Sequence, residues 1–155
     1  MLKILLFPVV IAGLLYADPV AAMESFIDAV YRCDAETVFG MLSDENRASI
    51  TLTLAMSKLQ PVSAAERLSL RIGSPVNGGE LSRWTEADFV KAVLEAPILS
   101  TVLPPRNTIT CSVSEMKGDT AVVACRAALP SGGEGETRFA LVMQGGMWRV
   151  GEPFL

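Results

Sequence analysis

The side chains that most often carry out catalysis in small proteins are scarce in this sequence. There is no histidine, which excludes every Ser-His-Asp or Cys-His mechanism and every histidine-ligated metal site. Any base must therefore be a carboxylate or a lysine. Two acid pairs, Glu24 with Asp28 and Glu86 with Asp88, lie near expected helix starts, where the helix dipole favours acids. We interpret both pairs as capping or solvated groups and predict no catalytic residue, metal site or cofactor.

The sequence also contains no pattern typical of a phosphate-binding loop. The glycine pairs at 78–79 and 132–133 are not followed by a helix that begins with lysine. The chain of 155 residues carries 13 Lys and Arg against 17 Asp and Glu, for a net charge of -4, and it has no basic run. Such a charge balance does not suit a nucleic-acid backbone, so we expect no nucleic-acid partner. The length suits one domain, and the 50% hydrophobic content excludes a disordered chain.

The sequence has three cysteines, at positions 33, 111 and 125, which allow one disulfide and one free thiol. Cys111 and Cys125 lie on neighbouring strand candidates joined by a short turn. If residues 117–119 form the loop, counting outward places Cys111 directly opposite Cys125, within reach of a disulfide. A competing register, with Gly118 as a left-handed bulge residue, would shift the two cysteines apart by two residues. We predict the Cys111–Cys125 bond, with three free thiols as the alternative.

The first 22 residues have the features of a secretory signal peptide. Lys3 supplies a short positive region, and residues 4–16 form an apolar run. The run is shorter than the roughly 20 apolar residues that a membrane-spanning helix needs. We therefore expect an exported protein, periplasmic or secreted, with no stable membrane span after cleavage. That compartment would allow disulfides to form.

The small side chains of Val20 and Ala22 fit the -3 and -1 positions that signal peptidase reads. We predict cleavage after Ala22, which divides the chain into a signal peptide at 1–22 and a single α+β domain at 23–155. Cleavage after Ala17 is an alternative, although Leu15 is a poorer -3 residue than Val20.

The first half of the domain carries helical patterns. Residues 23–32 place Phe26, Ile27, Val30 and Tyr31 on one stripe, typical of an amphipathic helix. Further N-cap candidates are Asp34, Ser43 and Thr85. The segment from Ser43 to Leu59 also alternates partly like a strand, but its length and its Met, Leu and Ala content favour a helix.

The segment between these helices is harder to interpret. Ser63 and Glu66 have capping-box spacing, which predicts a short helix from Ala64. The apolar residues at 68, 70 and 72 then alternate and could begin a strand. Residues 73–79 have the composition of a loop.

Period-two patterns fill the second half of the chain. Four strand candidates occur at 109–115, 120–129, 137–144 and 147–154. The connections between them are short, which predicts an antiparallel meander. Helices followed by such a sheet indicate an α+β fold, in which N-terminal helices pack on one face of a four-stranded antiparallel sheet.

Three segments resemble the nuclear-transport-factor-2-like superfamily. Residues 26–45 (FIDAVYRCDAETVFGMLSDE) are similar to the first two helices of that family, and residues 118–125 (GDTAVVAC) to a strand opening of exported members. Residues 139–150 (FALVMQGGMWRV) are similar to the closing hairpin. The resemblance implies a cone-like fold, in which a curved sheet wraps around the helices.

The same resemblance implies no single activity, because the superfamily contains ketosteroid isomerase and polyketide cyclases as well as binding and assembly domains. In the isomerase an aromatic hydroxyl on the first helix helps to stabilise the oxyanion. The matching position here is Phe26, which has no donor, and no acid of this chain matches the isomerase base. The isomerase mechanism therefore does not carry over.

We hypothesise a non-enzymatic binding or envelope-assembly domain whose pocket takes a small apolar ligand or another envelope protein. The candidates for the pocket wall are apolar residues whose periodicity is expected to turn them toward the interior of the cone. They are Phe26, Val30, Phe89, Val93, Phe139, Leu141 and Trp148. Each of these residues also fits a core position, and Trp148 fits it best because Trp148 and Val150 alternate with Arg149. One alternative is a small isomerase or hydrolase that uses a desolvated carboxylate in the cone. The other is a structural subunit that forms a homodimer through its sheet.

Two basic residues could add a polar site. Strand alternation places Arg126 and Arg138 on the same face of neighbouring strands, where like charges are unfavourable. Either Glu136 or solvent screens the two charges, or the pair holds an anionic ligand or an acidic partner.

Overall fold

The structure, a computed structural model, describes residues 18–151. In this range the helices are α1 (Pro19–Tyr31), α2 (Ala35–Met41), α3 (Asp44–Leu59), α4 (Pro61–Ile72), α5 (Gly78–Leu81), α6 (Glu86–Leu94) and α7 (Pro97–Val102), followed by a 3₁₀ turn at Arg106–Thr108. The strands are β1 (Thr110–Lys117), β2 (Thr120–Ala128), β3 (Glu134–Gln144) and β4 (Met147–Val150). They form one antiparallel sheet in the order β1-β2-β3-β4. The predicted α+β class and the antiparallel four-stranded sheet are confirmed.

Capping side chains explain where several helices begin. The side chains of Asp34, Ser43 and Thr85 each accept a backbone N–H at the start of α2, α3 and α6, as predicted. At α6 the cap is reciprocal, because the carboxylate of Asp88 accepts the N–H of Thr85 at 2.8 Å. The segment from Ser43 to Leu59, whose pattern fits both a helix and a strand, forms helix α3 from Asp44 onward. None of the helices in the described range is both long and apolar enough to cross a lipid bilayer.

The first helix begins earlier than the sequence pattern predicts. Asp18 is its N-cap and Pro19 its first residue, whereas the prediction placed the start at Met23. The difference follows from the expected cleavage after Ala22, which excluded the preceding turn from the domain. Residues 1–17 of the predicted signal peptide lie outside the described range, and the cleavage itself stays a prediction.

The helix expected from Ala64 is present but begins three residues earlier and is longer than predicted, and the possible strand at 68–72 was wrong. Helix α4 begins at Pro61, whose fixed φ suits the first helical position, and runs to Gly73, which takes a left-handed φ of 72°. Leu68 and Ile72 are one helical turn apart and face inward, while Leu70 points outward and is 86% exposed. Part of the expected loop at 73–79 is likewise helical, because α5 begins at Gly78.

The strand register brings the two predicted cysteines together by an unexpected route. Lys117 pairs with Thr120, so the turn is one residue shorter than the loop assumed at 117–119. A bulge between Val113 and Glu115 then adds one unpaired residue to β1, which compensates for the shorter turn. Cys111 therefore lies opposite Cys125, as predicted, and the competing register does not form.

The sheet and the helices share one large hydrophobic cluster. Met23, Phe26 and Ile27 of α1 pack with Val123 and Leu141 of the sheet, and Met23, Val123 and Leu141 are 0% exposed. A second cluster lies among α3, α4 and α5 and contains the buried residues Leu54, Ala64, Ala65 and Leu81. The helices thus cover one face of the sheet and leave a cavity beside the larger cluster.

Candidate functional site

A cavity of about 520 Å³ lies between α1, the segment 93–109 and the inner face of β2 and β3. Its walls are mostly apolar. Helix α1 contributes Met23, Phe26, Ile27, Val30 and Tyr31, and the second wall consists of Val93, Leu94, Leu99, Val102, Leu103, Pro104 and Ile109. The sheet and the loop beside it contribute Cys125, Ala127, Leu129, Gly135, Glu136, Thr137 and Phe139. This volume falls within the range of about 300–1,000 Å³ that is typical of small-molecule sites.

Two polar contacts tie the second wall to α1. The Tyr31 hydroxyl donates a hydrogen bond to the carbonyl of Pro104. Arg106 Nε lies 2.7 Å from Asp28 Oδ1, and both side chains are half-buried. Burial raises the pKa of Tyr31, and the positive charge of Arg106 opposes that shift, so the hydroxyl stays protonated at neutral pH. These contacts hold the segment 103–106 against the helix and fix the width of the cavity.

The carboxyl groups whose pKa shifts within residues 18–151 all shift downward. Hydrogen bonds lower the pKa values of Asp34, Glu45, Asp88 and Glu136. A general acid for catalysis near neutral pH needs the opposite shift, of the kind that desolvation gives. These four groups are therefore held as carboxylates, at helix starts and on the sheet surface.

The predicted pocket residues fall into two groups. Phe26, Val30, Val93 and Phe139 line the cavity. Phe89, Leu141 and Trp148 do not line it: Phe89 borders smaller clefts against α3 and α4, and the other two lie in the main hydrophobic cluster. Trp148 is 5% exposed, which agrees with the core position that its alternation with Arg149 indicated.

Sequence reasoning missed the wall formed by α7 and the loop after it. The residues concerned are Leu99, Val102, Leu103 and Pro104. Their signal was a run of apolar residues after Pro97 in a segment that has neither strand nor long-helix periodicity. An apolar segment of this kind, which forms neither a strand nor a long helix, is a signal for the wall of a cavity.

The predicted arginine pair lies on the outer face of the sheet. Arg126 Nε is 2.9 Å and Arg138 Nε is 3.0 Å from the carboxylate of Glu136, which lies between them. Both hydrogen bonds lower the pKa of Glu136, and the same contact raises that of Arg126. Screening by Glu136, the first of the two predicted interpretations, therefore describes this pair.

The predicted disulfide is present. Cys111 and Cys125 are bonded, with their Cα atoms 4.1 Å apart, and Cys125 also lines the cavity. The bond thus connects β1 and β2 at the floor of the site. Cys33 is a free thiol whose sulfur lies 3.7 Å from the carbonyl oxygen of Leu94.

Groups of three or more side chains suited to hold a metal ion do not occur between residues 18 and 151. In comparisons with protein families, with curated proteins and with solved structures, no match to this chain was found.

Proposed function

We propose that the protein is an exported domain that binds a small apolar molecule in the cavity between α1 and the sheet. The observation that carries this proposal is the cavity itself, about 520 Å³ with mostly hydrocarbon walls. Transfer of an apolar ligand from water into such walls is favourable by roughly 25 cal/mol for each Å² of apolar surface buried. Binding therefore needs no charged anchor, and the few polar groups at the wall orient the ligand.

Export is part of the same proposal. The apolar run at residues 4–16 after Lys3 supports it. The disulfide between Cys111 and Cys125 also supports it, because such bonds persist mainly in oxidising compartments.

The α+β arrangement agrees with the cone-like fold that the sequence resemblance implies. Kinship with the nuclear-transport-factor-2-like superfamily is therefore part of the proposal. Glu136 is the carboxylate among the cavity-lining residues of the described range, and hydrogen bonds from Arg126 and Arg138 lower its pKa, whereas a desolvated acid in the cone would show the opposite shift.

A fluorescent apolar probe tests the proposal. Titration of oxidised protein with N-phenyl-1-naphthylamine should give saturable fluorescence enhancement at one site per chain. The variant Ala127→Phe adds a phenyl ring to the cavity wall, so it should weaken binding severalfold. If Ala127→Phe folds and binds the probe as well as the wild type, the cavity is not the binding site.

A matched control is available on the opposite face of the same sheet. Ala140 is exposed on β3, and strand alternation places it on the outer face, with Arg138. Ala140→Phe adds the same ring without reaching the cavity, so its probe affinity should equal that of the wild type. Circular dichroism of both variants establishes that they are folded, and Ala127→Val provides a smaller filling of the cavity.

A further inference from the structure

Helices α3 and α4 carry a second apolar surface, which is open to solvent and separate from the cavity. We propose that the groove along these helices binds a single-chain amphiphile, with an anionic head group and a hydrocarbon tail. The inference goes beyond the proposed function, because it assigns a second site with its own ligand chemistry. It does not depend on whether the cavity between α1 and the sheet binds a ligand.

The groove consists of two clefts that share part of their walls. The first cleft, of about 460 Å³, lies mainly between α3 and α4, and the second, of about 410 Å³, lies between these helices and the segment from α6 to α7. Each volume falls within the range of about 300–1,000 Å³ that is typical of small-molecule sites. The residues that line both clefts are Thr53, Leu68, Arg71 and Phe89. Because of these shared residues the two clefts form one continuous surface, which we call the arginine groove.

The first cleft carries the positive charge of the groove. Arg67 and Arg71 lie one helical turn apart on α4, and both are exposed. Arg67 donates to the hydroxyl of Ser63 at 3.3 Å, a neutral acceptor that does not balance its charge. Among residues 18–151 neither guanidinium takes part in an ion pair, and none of the residues that line the groove is acidic. In a chain with a net charge of -4, this groove is therefore suited to an anion.

The second cleft is the more apolar of the two. Its floor includes Ile50 and Ile72, which are 2% and 7% exposed, and Ile98 at its edge is 57% exposed. A hydrocarbon chain in this cleft would remove such carbon surface from water, which is favourable. The head group therefore belongs beside Arg67 and Arg71 in the first cleft, and the tail belongs in the second.

The size of the groove favours a single chain over a helix of a partner protein. An α-helix with its side chains is about 10–12 Å wide, so one turn of it fills about 400–600 Å³. Either cleft would take only one such turn, which would give a partner helix little contact. A flexible alkyl chain can bend at the junction beside Arg71 and use both clefts.

Methyl NMR titrations of the oxidised protein with decanoate and with decylammonium test the inference, because the two probes share a chain and differ in the sign of their charge. Decanoate should give saturable shift changes at Leu68 and Ile72, which line the groove and not the cavity. Decylammonium should bind there about tenfold more weakly, since attraction by each exposed arginine becomes repulsion. Shift changes with decanoate at Ile27 and Leu103 alone would place the ligand in the cavity, which would overturn this inference and leave the proposed function intact.

Two variants that each remove one positive charge separate the groove from the rest of the surface. Arg71→Gln changes the junction of the clefts, whereas Arg83→Gln changes an exposed residue that lines neither the groove nor the cavity. Arg71→Gln should weaken decanoate binding at Leu68 and Ile72 about threefold to fivefold, and Arg83→Gln should leave it unchanged. Equal affinities of the two variants, or equal affinities of the wild type for decanoate and decylammonium, would overturn the inference.

Discussion

The two hydrophobic clusters found within residues 18–151 differ in how completely they exclude water. The cluster between α1 and the sheet contains many fully buried side chains, and the Cys111–Cys125 bond joins two of its strands. The cluster among α3, α4 and α5 has four buried members, and the helices around it leave Leu59 80% exposed and Leu70 86% exposed. Since stability follows buried apolar area, we infer that the sheet side carries most of the folding free energy and that α3–α5 opens first.

The largest expected effect lies on the sheet side. Trp148→Ala removes a buried ring from the main cluster and should lower the free energy of unfolding by about 3–5 kcal/mol. Leu59→Ala, on the exposed side of α3, should change it by less than about 0.5 kcal/mol. Urea denaturation measures both. Equal effects of the two substitutions would contradict the comparison.

The disulfide should come next in size. Replacing both Cys111 and Cys125 by alanine removes the cross-link, and the chain-entropy model gives a loss of up to about 3 kcal/mol for a loop of this length. Cys33→Ala leaves the bond intact and serves as the control. If the double variant is as stable as Cys33→Ala, the bond does not stabilise the sheet side.

A smaller effect is expected in the second cluster. Leu81 is 0% exposed, and Leu81→Ala should cost about 2 kcal/mol, the lower end of the range for buried leucine, because the neighbouring helices can relax. Hydrogen exchange should then accelerate in α4 while the amides of β2 keep their protection. Equal acceleration in both elements would mean that the two clusters unfold as one unit.

The smallest effect concerns pH and helix α6, whose residues Phe89, Val90 and Leu94 belong to the larger cluster. Hydrogen bonds from Thr85 lower the pKa of Asp88 at the start of α6. The Asp88 carboxylate therefore stabilises the fold above its unfolded pKa, and that contribution is lost as the pH falls through the lower folded pKa. Asp88→Asn removes the titration but can keep the hydrogen bond, so thermal unfolding of this variant should depend less on pH below 5.

Much of the architecture could be predicted from the sequence, because local signals determined it. The cap residues Asp34, Ser43 and Thr85 marked three helix starts, and period-two alternation marked the strands. The start of α4 was missed because two signals competed there. The Ser63–Glu66 box spacing predicts a start at Ala64, whereas the helix begins at Pro61, whose fixed φ suits the first helical position.

The candidate site was less predictable. Helical spacing identified Phe26 and Val30 on the cavity wall, since one amphipathic stripe holds both. Periodicity could not separate the cavity wall from the packed core, and Leu141 and Trp148 were therefore included although they lie in the core. The disulfide was predicted correctly because a shorter turn and a bulge offset each other, an outcome that no residue count along one strand reveals.

The most direct test of the central claim is a methyl NMR titration of the oxidised protein with N-phenyl-1-naphthylamine, the apolar probe. The account predicts chemical-shift changes at the cavity methyl groups of Ile27, Val30 and Leu103. The methyl groups of Leu59 and Val62, on the exposed surface of α3 and α4, should show no change in chemical shift. Shifts confined to Leu59 and Val62, or no saturable shifts at all, would contradict binding in the cavity.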